Sequence, residues 1–340
     1  MNARLLTFFL LFLINQTVLA LPTAKLTIKV IDESGKPIQG ADAGINFEAP
    51  KPLGKGAGIN INRKSGKTDS DGLFSTKGET TPQVSFGASH EEYYPSSSKF
   101  KQFTGVGGFI GFRKHEPWNP TVVLVLKKII NPIPMYAVVM SGRREGEYPM
   151  IPVLGEFVGF DLFANDWVKP HGTGKYSDLL FKVVVDRAVS IKDYDVTLFM
   201  KFSNQGDGLI EYTPDISKGK SLLRFPYHAP VNGYISELVQ HYERTPGVRV
   251  AVSSGYPDFE TNYFFRVRTE LDKDGNVIGG LYGKIHGPIT LGNSRWLHEE
   301  KPYVSFNYYI NPKNNDTNIE YDPEKNLFKD VPHRLKVTNP

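Results

Sequence analysis

The chain has 340 residues, 40% hydrophobic and 22% charged, with a formal net charge of +4 and no cysteine. That length fits about two domains, and the composition supports packed cores and excludes general disorder. The weak positive balance is too small to argue for nucleic acid or anionic lipid as a partner, and the lack of cysteine excludes disulfides, thiol nucleophiles and thiolate metal sites.

Residues 1–20 read as a signal peptide. Arg4 supplies the charged start, Leu5 to Ile14 an apolar run of ten residues, and Val18-Leu19-Ala20 a cleavage site. The run is shorter than the roughly 20 residues a bilayer span needs. Cleavage after Ala20 predicts a secreted or periplasmic chain with no membrane span. It removes Arg4 and no acid, so +4 becomes +3. With no cysteine at that point a lipoprotein anchor is excluded, and an exported chain without cysteine fits a bacterial source. The 22 Phe and 17 Tyr favour strands, and the 32 Gly and 24 Pro supply turns between them.

In chain order, "KLTIKVID" (25–32) alternates, with Leu26, Ile28 and Val30 on one face. "ESGKPIQG" is a turn and "ADAGINFEA" a second strand. Asp69-Ser70-Asp71-Gly72 makes another turn before Leu73 and Phe74, and "PQVSFGAS" and "NPTVVLVLKK" add strands. Short strands with frequent turn signals predict a sandwich. Gly35, Pro37, Ile38, Gly40 and Ala41, followed by Thr68, Asp69, Gly72 and Phe74, resemble the carboxypeptidase regulatory-like domain, a transthyretin-like β-sandwich. The resemblance covers about 24–128. It implies an accessory module and no catalytic residues. Two Gly-rich stretches, at 48–66 and 103–118, read as long loops beyond the family pattern. Gly66-Lys67-Thr68 is not the end of a phosphate-binding loop, because the first glycine required would fall at Ile61.

Residues 129–135, "IINPIPM", form a Pro-rich linker, and 136–340 read as a larger antiparallel β domain. It resembles segments of uncharacterised exported bacterial proteins, which implies no mechanism. Its clearest hairpin runs through "NYFFRVRTELDKDGNVIGGLYGKIHG", with Asp272 to Asn276 as the turn. "YVSFNYYIN" carries aromatics on both faces, as burial between two layers requires. One amphipathic helix is predicted at about 232–244. There Ile235, Leu238, Val239 and Tyr242 follow the i, i+3, i+4, i+7 rule, Asn232 is a fit N-cap and Pro246-Gly247 a stop. The fold class expected is therefore mainly all-β, a sandwich followed by a β domain with one helix.

The stretch richest in chemistry is "NDWVKPHGTGKYSD". Asp166, Trp167, His171, Lys175 and Asp178 sit between two strand patterns, where a loop on a β scaffold concentrates binding residues. The favoured reading is that His171 and Asp178 hydrogen-bond the loop's own backbone and hold its shape; the alternative is that Asp166, His171, Lys175 and Asp178 converge as a binding site and Trp167 supplies a stacking face. Trp118, Trp167 and Trp296 all fall in predicted loops. Among the eight histidines no metal-binding spacing occurs. The Asp-x-Asp-Gly runs at Asp69 and Asp272 lack the glutamate that closes a calcium loop and read as turns. No carboxylate pair is singled out for glycoside cleavage, and no G-x-S-x-G elbow occurs. No cofactor or metal is expected. The function expected is non-catalytic binding at the cell exterior or in the periplasm, to a polysaccharide or a surface-protein partner. A secreted hydrolase of glycans or peptides, with its site in the second domain, and a structural or assembly component are the alternatives.

Overall fold

The computed structural model describes residues 21–51, 58–109, 112–140, 147–190, 192–247, 252–254, 260–292, 302–329, 331–332 and 335–340. Residues 1–20, read from sequence as a signal peptide, and Trp296, His298 and His333 lie outside them. The chain divides into two compact units. The first runs to Ile129 and also takes Ile216–Leu222; the second comprises Ile130–Asp215 and Leu223–Pro340.

The first unit is a β-sandwich. One layer holds β1 (Thr23–Asp32), β4 (Leu73–Glu79) and β9 (Thr121–Lys128), with the short β7 (Gly105–Gly107) and β8 (Lys114–Glu116) at its end. The other holds β3 (Ile59–Lys67), β2 (Asp42–Pro50), β5 (Val84–His90) and β6 (Tyr93–Phe100), in that order. The alternation read in β1 is the packing pattern: Leu26, Ile28 and Val30 are fully buried, in one core with Ile45, Phe47, Val84, Leu124 and Leu126. Each such side chain contributes roughly 1.5–3 kcal/mol by leaving water. Asp69 accepts from the amides of Asp71 and Leu73 at 3.0 and 2.8 Å, so this Asp-x-Asp-Gly run is a turn.

The Gly-rich stretch at 48–66, expected as loop, is mostly strand: β3 pairs with β2 from Pro50↔Ile59 to Asp42↔Lys67. As the outermost strand of its layer, β3 is exposed on nearly every residue and shows no alternation to read. Residues 216–222, which sequence reading places in the second domain, complete the first unit. Within them β16 (Lys220–Ser221) pairs with β6 through Lys220↔Ser97 and Ser221↔Ser96, and Val125 N–H donates to the Lys218 carbonyl at 2.9 Å. The segment thus bonds to both β6 and β9. Gly219 sits between them at φ +111°, where a Cβ would lie 2.5 Å from Leu124 Cδ1 and 2.7 Å from Ser96 Oγ. Only glycine fits that conformation and that gap.

Two six-stranded sheets make the second unit. One runs β15 (Gly208–Tyr212), β19 (Asn262–Leu271), β20 (Val277–Gly292), β21 (Tyr303–Ile310), β10 (Ile133–Val138), β22 (Tyr321–Asn326). The other runs β12 (Asp166–Trp167), β11 (Val158–Asp161), β13 (Leu179–Ser190), β14 (Asp193–Phe202), β17 (Glu237–Arg244), β18 (Val252–Ser254). Phe160, Phe181, Val183, Leu198 and Met200 of the second sheet share a core with Phe265, Val267, Phe306 and Tyr308 of the first. The opposite face of the first sheet is buried too: Phe264, Tyr282, Tyr309 and Tyr321 join Phe225, Ala229 and Val337 in another core. The aromatics on both faces of β21 have that double burial as their cause.

The predicted helix at 232–244 is absent: no helix occurs among the described residues, and 237–244 is β17. Leu238, Gln240 and Tyr242 lie on one strand face; Val239 and His241 lie on the other. Ile235, expected inward, is 56% exposed. The apolar spacing fits a helix, but the unbroken pairing with β14, from Tyr194↔Arg244 to Lys201↔Glu237, overrides it and decides for the strand.

Candidate functional site

The loop at 162–178 is organised by three carboxylates and one arginine. β12 folds straight back on β11, pairing Phe160↔Trp167 and Asp161↔Asp166. Asp161 accepts from the amides of Phe163, Ala164, Lys175 and Tyr176 at 2.9–3.2 Å. Burial alone would raise its carboxyl; the four N–H bonds outweigh that and hold it below the usual range. Asp166 takes the Thr173 amide and hydroxyl, both at 2.8 Å. Asp178, buried, accepts from Leu162 N–H at 3.0 Å and from Arg268 Nε and Nη2 at 2.8 and 3.0 Å. Burial pushes the Asp178 carboxyl up against the downward pull of Arg268; burial pulls Arg268 down in turn, and its bonds and charge pairing with Asp178 and Asp161 outweigh that and raise it above the ordinary arginine range. The Arg268 guanidinium also lies 4.5 Å from the ring centres of Phe163 and Tyr176. A bulge in β19 makes this reach possible: Arg268 has φ +55°, and its amide donates to Asp207 Oδ2 at 3.0 Å.

Trp167 offers no stacking face to solvent. It is 5% exposed and sits edge-on against Phe160 and Phe181. Its place in the core, which a loop assignment concealed, comes from the β12–β11 pairing. His171 and Lys175 are exposed, and each uses its backbone amide to close the loop, on Val168 O and Asp161 Oδ2. Asp166 and Asp178 therefore face different partners, and the loop spends most of its polar groups on its own backbone.

A groove lies elsewhere, on the outer face of β3-β2-β5-β6, with a volume of about 870 Å³. Strand register lays out its floor in transverse rows. Arg63, Asn46, Ser85 and Lys99 stand side by side across the four strands; two residues along, Ser65, Gly44, Gly87 and Ser97 do the same, and Lys220 extends that row. Asn46 Nδ2 donates to Ser85 Oγ at 3.2 Å. Inward-facing neighbours Ala43, Ile45, Phe47, Val84 and Phe86 hold the floor rigid. Gly44 makes room for one bank: a Cβ there would lie 3.1 Å from Arg63 Nε, so the guanidinium rests across the glycine. Lys101 also lines the groove, and its one acid, Asp42, pairs with Lys67 at 2.8 Å. Sequence reading missed this surface because its parts lie far apart. The signal was there in "ADAGINFEA" and "VSFGAS", where small and polar residues alternate with the core positions.

Among the described residues no three His, Asp or Glu side chains gather as metal ligands, and no helix is long and apolar enough to cross a membrane. No family model matches the chain, and neither does any curated protein. Among solved structures it is similar to a 3-chlorocatechol 1,2-dioxygenase from Rhodococcus opacus 1CP, at TM-score 0.26 and 10% identity over 34% of this chain and 63% of that one. It is also similar to the shaft pilin SpaA from Lactobacillus rhamnosus GG, at TM-score 0.22 and 13% identity over 54% and 89% of the two chains. A streptococcal ancillary pilin gives TM-score 0.18 and 12% identity over 57% and 56%. The chain spans less than two thirds of the dioxygenase. Likenesses this low carry no argument about function.

Proposed function

We propose that this is an exported, non-catalytic binding protein that holds a polymer chain along the outer face of β3-β2-β5-β6, with the first unit a carboxypeptidase regulatory-like module. The groove of about 870 Å³ on a rigid sheet is the observation that supports this reading. Its floor of glycine, serine and asparagine presents hydroxyls and an amide at a depth a flat chain can reach. The loop of the second unit supports it less, because its carboxylates are consumed in holding its shape. Retention of the exported chain on polysaccharides, by affinity electrophoresis, tests the reading. Ser97 is exposed, so Ser97→Trp fills the groove without disturbing the core. Retention should be lost in that variant at an unchanged melting temperature. Equal retention of variant and parent would move the binding surface off this face.

A second reading, assembly through β3, rests on a separate observation. β3 has no neighbour on its outer side among the described residues, and Ile59 and Ile61 are 58% and 64% exposed. Unpaired edges template pairing with another chain, although Arg63, Lys64 and Lys67 on the same strand are the charges that usually block it. Concentration-dependent oligomers abolished by Ile61→Lys would favour assembly.

A further inference from the structure

We infer that the groove is built for a polyanion, specifically a linear acidic polysaccharide carrying carboxylates along its length; this rests on the groove being the binding face. Its two banks are cationic and come from different strands. Arg63 stands on β3, Lys99 on β6, Lys101 just beyond β6, and Lys220 on β16. Arg63, Lys99 and Lys101 have no carboxylate within ion-pair distance among the described residues, and Asp42 is already held by Lys67. Residues 21–129 and 216–222 together carry 17 Lys and Arg against 10 Asp and Glu, so this unit is basic, and the groove gathers four of those cations on one face.

The spacing selects for length. Arg63 and Lys99 end one row of four strands, which places their backbones three strand spacings apart, about 14 Å. A single small anion does not bridge both banks, whereas a chain with repeated charges does. The Arg63 fork is already laid down over Gly44, so bidentate capture of a carboxylate costs little further ordering.

The floor selects for sugar. Asn46, Ser85, Ser89 and Ser97 can both donate and accept, as sugar hydroxyls require. Among the described residues Phe86 is the only aromatic lining the groove, and it is buried. Neutral glycans held by ring stacking and nucleic acid held by base stacking both lack their platform here.

The test uses the full exported chain and affinity electrophoresis on polygalacturonate, on the same polymer fully methyl-esterified, on poly-glutamate and on single-stranded DNA. Retention is expected on polygalacturonate alone and should fall as salt rises. Arg63→Ala and Lys99→Ala should each weaken it about tenfold, the size of a lost charge-assisted bond. Gly44→Ala should weaken it too, by displacing the guanidinium, with no change in melting temperature. Lys36→Ala, at an exposed turn of the same unit and outside the groove lining, is the control and should change nothing. If Lys36→Ala weakens retention as much as Arg63→Ala, the attraction is general and the inference fails. Stronger retention by poly-glutamate or DNA would name another polymer class and overturn it. If the esterified polymer is held and Ser97→Trp abolishes this, the groove reading stands and the polyanion inference falls. Retention by no polymer sinks both.

Discussion

The loop at 162–178 and the outer face of β3-β2-β5-β6 are both rich in polar side chains, and they use them in opposite ways. In the loop, Asp161, Asp166 and Asp178 turn inward on amides, a hydroxyl and Arg268, so the charges are spent on architecture. On the sheet, the same polar character sits on a frame already held by the core beneath, and Arg63, Lys99 and Lys101 point at solvent. The density of polar residues in a segment therefore says little about function. What matters is whether the backbone around them needs their hydrogen bonds.

That contrast is broken most sharply at Trp167. If the loop is part of the core, Trp167→Ala should cost about 3–5 kcal/mol in urea or thermal unfolding, as buried aromatic truncations do. Polymer retention by the first unit should be unchanged. A cost near zero would return the indole to the surface.

Acid sharpens the comparison next. His286 lies in the second unit beside Arg224, Lys284 and Glu260, and burial first, then the two cations, push its pKa down to about 4. The folded state therefore resists a proton that the unfolded state takes up near pH 6.5. This contribution to stability is complete above that pH and is lost as pH falls from there towards 4, by at most roughly 3 kcal/mol. His286→Asn should flatten the loss across that window, measured by melting temperature. An equal acid slope in the variant would put the sensitivity elsewhere, and not on Asp178, whose raised carboxyl favours the folded state as pH falls.

Smaller effects belong to exposed positions. Ile235→Ala should stay within about 0.5 kcal/mol of the parent, since the side chain faces solvent; a cost above 2 kcal/mol would restore the inward face that a helix requires. His171→Ala should be equally mild. If it nevertheless weakens ligand retention, the loop is a second working surface.

Much of the fold was legible because it is written locally. β1 announces itself by Leu26, Ile28 and Val30, and the β19–β20 hairpin by its turn, where Asp272 accepts from Asp274 and Asn276 amides at 2.9 and 2.8 Å. The double burial of β21 shows as aromatics on both faces. What failed was decided by distant partners. β17 needs β14 beside it to be a strand, β3 needs β2, and Trp167 needs Phe181. The candidate site was the least legible part, because a sheet face gathers residues from 42–46, 63–65, 85–89, 97–101 and 220, and no window of sequence contains them together.

The return of residues 216–222 to the first unit has a consequence for how such a molecule can be taken apart or reused. A gene fragment ending at the Pro-rich stretch after Lys128 would encode every strand of that sandwich except the one that bonds to β6 and, through Lys218, to β9. The cassette is thus interrupted, and shuffling it whole into another gene would require two pieces to travel together. A product made from the first piece alone should regain stability when a peptide carrying Ile216–Leu222 is added in trans, as a split reporter does. A fragment that gains nothing from the peptide would show that β16 is an ornament of the sheet rather than a member of it.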